Sequence, residues 1–86
     1  MLTYNTDLSS EFELENGTFQ VEFKEYHDGS HFLVTTREYA DIGGFFPRDR
    51  KQFTTKGKAV AEFNRRFKGL LDQLNLERLK RKQALI

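Results

Sequence analysis

The pair Asn16-Gly17 constrains the fold of this chain most, because it separates two runs in which apolar and polar residues alternate strictly. Alternation with a period of two is typical of β-strands that bury one face. Asn-Gly between two such runs is a strong signal for a hairpin turn. The sequence therefore predicts strands near 11–15 and 18–26, with alternating apolar side chains at Phe12, Leu14, Phe19, Val21 and Phe23.

Further turn signals extend the predicted sheet. The cluster of turn-forming residues at 27–30 precedes a run at 31–39 that is rich in branched and aromatic residues. A glycine-containing connection at 40–46, which either stays a flexible loop or resumes as a short strand, is followed by a turn at 47–50 around the only proline and a last short strand at 51–54. These signals predict an antiparallel meander of three to four strands.

One long helix is predicted after the sheet. Thr54 or Thr55 offers a hydroxyl N-cap, and the apolar residues that follow are spaced alternately by three and four. That spacing suits a stripe that covers the sheet, and it also suits a seam between two helices of a dimer. The stripe consists of Val60, Phe63, Phe67, Leu70 and Leu74, and the charged residues around it, Arg66 among them, are expected mostly on the other helix faces.

Together these elements predict an α+β domain, in which an antiparallel three- to four-stranded sheet is followed by one C-terminal helix. We expect an N-terminal arm or edge strand at 1–10 and the domain itself at 11–76. The basic extension at 77–86 either continues the helix or unwinds into solvent. A chain of 86 residues buries little core, so a dimer is a natural source of additional buried surface.

Charge is distributed unevenly along the chain. Residues 1–43 carry two basic and nine acidic residues, whereas residues 44–86 carry twelve basic and four acidic residues. This asymmetry favours a polyanionic partner for the basic half, although solubilising surface would also explain it. The sequence contains no cysteine, no apolar run of about 20 residues and no signal-peptide pattern. We therefore expect an intracellular protein of the cytoplasm or nucleoid, not bound to membranes.

Aromatic and basic residues are interleaved on the predicted strands and turns. Single-stranded nucleic acid presents unstacked bases and a charged backbone, so a protein that binds it uses flat rings and cations. Aromatic residues on strands are also common in cores, which is the competing interpretation. The candidate nucleic-acid-binding residues are Lys24, Tyr26, His31, Arg37, Tyr39, Arg48, Arg50 and Lys51, with Phe45 and Phe46 nearby.

The run Arg37-Glu38-Tyr39, the loop after it and the turn containing Pro47 and Arg50-Lys51 together resemble the positive cofactor four family of transcriptional coactivators. In that family an Arg-Glu-Tyr strand end is followed by a loop, a Pro-Gly-Arg-Lys turn, a last strand and a helix. The residues at 21–26 are similar to its preceding strand. The likeness extends over about residues 18–74.

The resemblance implies a four-stranded curved sheet and one helix, paired into a homodimer through helices and sheet edges, with single-stranded DNA across the strands. By position, Arg37, Arg50 and Lys51 match basic residues that contact the nucleic-acid backbone. Lys24 matches a basic residue of the earlier strand, Tyr26 matches an aromatic platform, and His31 stands where the family has lysine. The sequence departs from the family at Ala40, which replaces a stacking tryptophan, and in the turn at 47–51, which is one residue longer.

Two functions follow from these observations. The first is a single-stranded nucleic-acid-binding protein of coactivator type, which acts on DNA or RNA in transcription, replication or recombination. The alternative is a small regulator that docks on a polymerase or nuclease through its acidic strands, which contain Glu11, Glu13, Glu15 and Glu22.

An enzyme is not expected. His27, Asp28 and His31 lie close in sequence, but a turn explains Asp28-Gly29 without a metal. Gly43-Gly44 lacks the Lys-Ser/Thr and the following helix of a phosphate-binding loop. We therefore predict neither a catalytic site nor a metal or cofactor.

Overall fold

Four antiparallel strands and one helix follow one another in the computed structural model, which describes residues 4–84. The strands form one curved sheet in the order β1-β2-β3-β4, so each strand pairs with its neighbours in sequence. The predicted α+β fold class is thereby confirmed. The elements are β1 (Tyr4–Leu14), β2 (Gly17–Tyr26), β3 (Phe32–Tyr39), β4 (Phe45–Phe53) and α1 (Lys56–Ala84).

The first hairpin is present, but its turn lies one residue earlier than the Asn-Gly pair suggests. Leu14 pairs with Gly17, so Glu15 and Asn16 form the loop. Gly17 begins β2 with a φ of 145°, a backbone conformation that side chains with a Cβ rarely adopt. The alternation predicted from sequence is nevertheless realised, since Phe12 lies directly opposite Phe19.

The hydrophobic core lies between one sheet face and α1. The apolar residues of β1, β2 and β3 alternate inward, and α1 adds its own buried side chains. Phe12 meets Phe67 edge-on, with ring centroids 5.3 Å apart. Partly buried residues of the helix stripe extend this contact along α1. The buried apolar residues are Phe12, Leu14, Val21, Phe23, Phe32, Val34, Ala59 and Phe63.

Helix α1 packs on the sheet and contacts all four strands. It begins after Thr55, whose carbonyl accepts the Ala59 N–H at 3.2 Å. It continues through 77–84 without interruption, so the basic segment is helical as far as the structure describes it. The N-terminal segment belongs to edge strand β1 from Tyr4 onward. The Glu15 N–H donates to Glu77 Oε1 at 3.0 Å, which fixes the first hairpin against the helix.

The turn predicted at 47–50 was wrong, because β4 runs from Phe45 to Phe53 through the proline. Thr36 pairs with Asp49 and Arg37 pairs with Pro47, which leaves Arg48 as the extra residue of a bulge. Edge strands and bulges are the two places in a sheet where proline is tolerated, and Pro47 lies in edge strand β4 beside the bulge.

The chain instead reverses direction in the β3–β4 loop. The Ala40 N–H donates to the Gly44 carbonyl at 3.0 Å, and the Gly43 N–H donates to the Ala40 carbonyl at 2.9 Å. Gly43 and Gly44 have φ values of 99° and 107°, in the region that favours glycine.

Candidate functional site

The sheet face that points away from α1, called the open face here, carries six of the eight candidate residues. Residues directly opposite each other in an antiparallel sheet project to the same side, and alternate residues project to opposite sides. Val21, Phe23 and Val34 face the helix. The residues between them face the other way, and the register brings together Lys24, Tyr26, His31, Arg37, Tyr39 and Arg50.

Aromatic rings stand at both ends of the open face. At one end the rings of Tyr26 and His31 stack with centroids 4.5 Å apart. At the other end Tyr39 contacts Phe45 edge-on with centroids 5.5 Å apart. His31 and Tyr39 are eight residues apart along the chain, which corresponds to about 27 Å at the rise of an extended strand. The rings therefore mark the two ends of a long surface.

A carboxylate holds two cations in the middle of this face. Arg37 Nη1 donates to Glu22 Oε1 at 2.6 Å, and Lys24 Nζ lies 3.4 Å from the same oxygen. Gln20 Oε1 accepts a longer bond of 3.5 Å from Arg37. The side chain of Glu22 is only 10% exposed, so solvent screens this cluster weakly. The positive charge of Arg37 and Lys24 is therefore partly compensated inside the protein.

The basic residues of β4 do not share one surface. Arg50 lies opposite Thr35 on the open face and is exposed. Lys51 projects to the other side, where its Nζ lies 5.6 Å from the centroid of the Phe53 ring. Arg48, in the bulge, is paired with Glu38. Of the three cations predicted near Pro47, only Arg50 joins the open face.

Arg66, a partly buried arginine of α1, joins the helix to β3 and β4. The sequence pattern groups it with charges expected mostly on the outward helix faces, but its side chain is only 7% exposed. The guanidinium donates to Glu62 Oε2 at 2.8 Å, to Thr36 Oγ1 at 3.1 Å and to the Asp49 carbonyl at 3.0 Å. These contacts hold β4, and with it Arg50, at a fixed position beside β3.

The same cluster lowers the pKa of a helix carboxylate. Hydrogen bonds from Arg65 and then Arg66 lower the pKa of Glu62 to about 2, against the opposing effect of burial. Arg65 donates through Nη2 at 2.6 Å to Glu62 Oε2. Glu62 therefore stays ionised in all but strongly acidic solution and keeps Arg66 in place.

The histidines near the second turn do not form a metal site with Asp28. Asp28 Oδ1 accepts the Ser30 N–H at 2.9 Å, and hydrogen bonds from Ser30 lower the pKa of this carboxyl group. Ser30 Oγ and His31 Nδ1 lie 2.9 Å apart, within hydrogen-bond distance. Within residues 4–84 no cluster of three or more histidine, cysteine or acidic residues is placed to hold a metal ion.

The predicted helix stripe faces the sheet. Phe63 is buried, and Phe67, Leu70 and Leu74 are partly buried against the core. Two other leucines of α1, Leu76 and Leu79, are 58% and 53% exposed. Over residues 4–84 the structure contains no helix with the length and apolar character that a membrane crossing requires.

Comparison of the chain with protein-family models, with curated proteins and with solved structures found no match. The resemblance to the positive cofactor four family stays a prediction.

Proposed function

We propose that the open face binds single-stranded nucleic acid, with single-stranded DNA as the first candidate. The observation that carries this proposal is the joint placement of Lys24, Arg37 and Arg50 across three adjacent strands, on the face that α1 leaves uncovered. Rings at both ends, Tyr26 and Tyr39, complete a surface with a cationic centre. Such a surface suits a strand whose phosphates lie over the centre while its bases stack at the ends.

The contributions of the individual residues differ. Arg50 is exposed and, among the described side chains, has no ion-pair partner, so it is the cation most available to a phosphate. Tyr39 is 49% exposed and offers a ring for stacking. Arg37 and Lys24 form ion pairs with Glu22, so a phosphate must compete with this carboxylate for them. We therefore propose modest affinity that depends strongly on salt, since phosphate contacts release counterions.

The proposed role is that of a coactivator-like, homodimeric protein without catalytic activity, which grips melted strands during transcription, replication or recombination inside the cell. Leu76 and Leu79 on α1 are exposed apolar side chains that suit the helix-mediated dimer that the family resemblance implies. A dimer would double the number of open faces and so strengthen binding to a long strand through avidity.

The test is a titration of a fluorescently labelled single-stranded oligonucleotide at about 50 mM and about 200 mM salt. Arg50→Ala is expected to weaken binding at both salt concentrations and to reduce the salt dependence. Lys58→Ala is the matched control, because it removes one exposed cation from α1, away from the open face. Its affinity should remain close to that of the unmodified protein.

Two results would overturn the proposal. One is the absence of binding at low salt. The other is an equal loss of affinity for Arg50→Ala and Lys58→Ala, since that would show attraction to total charge and not to the open face. Circular dichroism of each variant confirms that the fold is retained.

A further inference from the structure

A cleft of about 420 Å³ separates the outer edge of β1 from the C-terminal half of α1. Phe12, which is only 5% exposed, and the half-buried Leu74 line its small apolar part, where one apolar side chain of a partner would make contact. Charged side chains stand on either side of this apolar part. The lining residues are Glu11, Phe12, Glu13, Leu74, Arg78 and Arg81.

The edge of β1 is open to pairing along the same cleft. Within residues 4–84, β1 pairs only with β2, and its register is regular from Leu8 to Leu14. Alternate residues of such an edge direct their N–H and C=O groups outward, which is a template for a further strand. The opposite edge, β4, contains Pro47 and a bulge, both of which oppose strand addition. The sheet therefore offers one good edge for a partner, and this edge adjoins the cleft.

The charges beside this edge specify the partner. Arg78 and Arg81 are exposed on the helix side, and no described carboxylate forms an ion pair with either. Glu11 and Glu13 are exposed and project to the open-face side, opposite in direction to Phe12. A strand paired to β1 would thus meet cations on one side of the sheet and carboxylates on the other.

We propose that an extended peptide of a partner protein adds to the β1 edge as a fifth strand. Its acidic side chains lie toward Arg78 and Arg81, and its basic side chains lie beside Glu11 and Glu13 on the open-face side. An apolar residue between the acidic ones fills the cleft at Phe12 and Leu74. This strand-addition mode combines main-chain hydrogen bonds with side-chain pockets. It uses the β1 edge and the cleft, whereas nucleic acid is proposed to bind the open face over β2, β3 and β4.

The charges argue against a second copy of this chain as the occupant. Pairing β1 with β1 of another copy would set Glu11 and Glu13 of one chain near the same residues of the other, and like charges on opposed strands are destabilising. The helix-facing residues of β1 in this stretch are Phe12 and Leu14, which offer Arg78 and Arg81 no carboxylate.

The probe is a labelled eight-residue peptide in which lysine alternates with glutamate or valine, so that lysines occupy one face and glutamates and valines the other. A peptide of the same composition with its lysines grouped at one end is the control. Fluorescence anisotropy with the full chain should show binding of the alternating peptide at least about tenfold tighter than binding of the control. The double variant Arg78→Glu, Arg81→Glu should remove this preference, whereas Lys68→Glu, Lys80→Glu on α1 should retain it.

Backbone pairing is tested with two further peptides, N-methylated at the odd or at the even residues. A strand paired along one edge uses the N–H groups of alternate residues only, so one methylated peptide should lose binding and the other should retain it. Equal binding of both would show attraction by charge alone and would overturn the proposal. So would failure of the alternating peptide to bind more tightly than its control.

Discussion

Arg37 Nη1 lies 2.6 Å from Glu22 Oε1, in the middle of the sheet face that the helix leaves open. The same oxygen is 3.4 Å from Lys24 Nζ. One weakly exposed carboxylate therefore restrains two of the cations that are proposed to bind phosphates. Because Glu22 compensates part of the positive charge of Arg37 and Lys24, it should lower the affinity of this face for a polyanion.

Glu22→Gln is expected to strengthen binding of single-stranded DNA, because it frees Arg37 and Lys24 for phosphates. One or two additional phosphate contacts would steepen the slope of log K against log salt by about 0.7 to 1.4. The measurement is an oligonucleotide titration across a salt series. Glu13→Gln is the matched control, since Glu13 is exposed on the same face and has no ion pair among the described side chains. Equal slopes for the two variants would contradict the prediction.

Arg66→Ala is expected to destabilise the fold more than any change of an exposed helix cation. It removes the hydrogen bonds to Thr36 and to the Asp49 carbonyl and one of the two arginines that bind Glu62, and leaving such partly covered groups without a partner costs about 1–3 kcal/mol. The free energy of unfolding is measured by urea denaturation. Arg65→Ala is the control, because Arg65 also pairs with Glu62 but its side chain is 71% exposed. Arg65→Ala should lower the free energy of unfolding much less than Arg66→Ala does. Similar losses for the two variants would show that the low exposure of Arg66 is unimportant.

The ion pairs of Glu62 predict a specific acid sensitivity. The folded-state pKa of Glu62 is lowered to about 2 by Arg65 and Arg66, from an ordinary value of 4.5. The unfolded state therefore binds the proton more readily, so this group stabilises the fold fully above about pH 4.5, and the stabilisation is lost as the pH falls toward 2. Glu62→Gln should be less stable than the unmodified protein at neutral pH. The difference in unfolding free energy should shrink through this pH range, and a constant difference would contradict the assignment.

The order of elements follows from local sequence, because strict alternation, turn residues and a three-four apolar stripe each report the period of one element. The prediction failed at Pro47 for a reason that lies outside local sequence. A proline among turn-forming residues predicts a turn, but proline is also tolerated in an edge strand such as β4. Whether a strand lies at the edge depends on the arrangement of the whole sheet, which local sequence does not show.

The site was less predictable than the fold. Lys24, Arg37 and Tyr39 share one face because of strand parity and register, and the parity within each strand can be read from the sequence alone. Adjacent residues of one strand project to opposite faces, so Arg50 and Lys51 lie on different faces of β4. The turn predicted from sequence included Arg50, so this difference was not predicted. The buried contacts of Arg66 arise where the helix crosses two strands, and no pattern within the helix signals them.

Gly17→Ala and Gly69→Ala should change stability in opposite directions. A Cβ at Gly17 would lie 3.0 Å from Glu38 Oε2, and the φ of 145° is unfavourable for alanine, so a loss of about 1–3 kcal/mol is expected. Gly69 lies within α1 with nothing within 4 Å of an added Cβ. Alanine there should stabilise the fold by about 0.4–1 kcal/mol. Urea denaturation of both variants checks the signs, and a neutral Gly17→Ala would indicate that the hairpin relaxes.

Tyr39 and Phe46 provide the sharpest test of which face stacks on bases. They flank the same hairpin and are 49% and 45% exposed, but the register places Tyr39 on the open face and Phe46, opposite Glu38, on the other side. Tyr39→Ala should weaken binding of single-stranded DNA by about 1–3 kcal/mol, the typical contribution of one stacked base, while Phe46→Ala should have little effect. The measurement is a titration with a short oligothymidylate, monitored by anisotropy. If the two variants lose affinity equally, the hairpin attracts nucleic acid without regard to face, and the open face is not the binding surface.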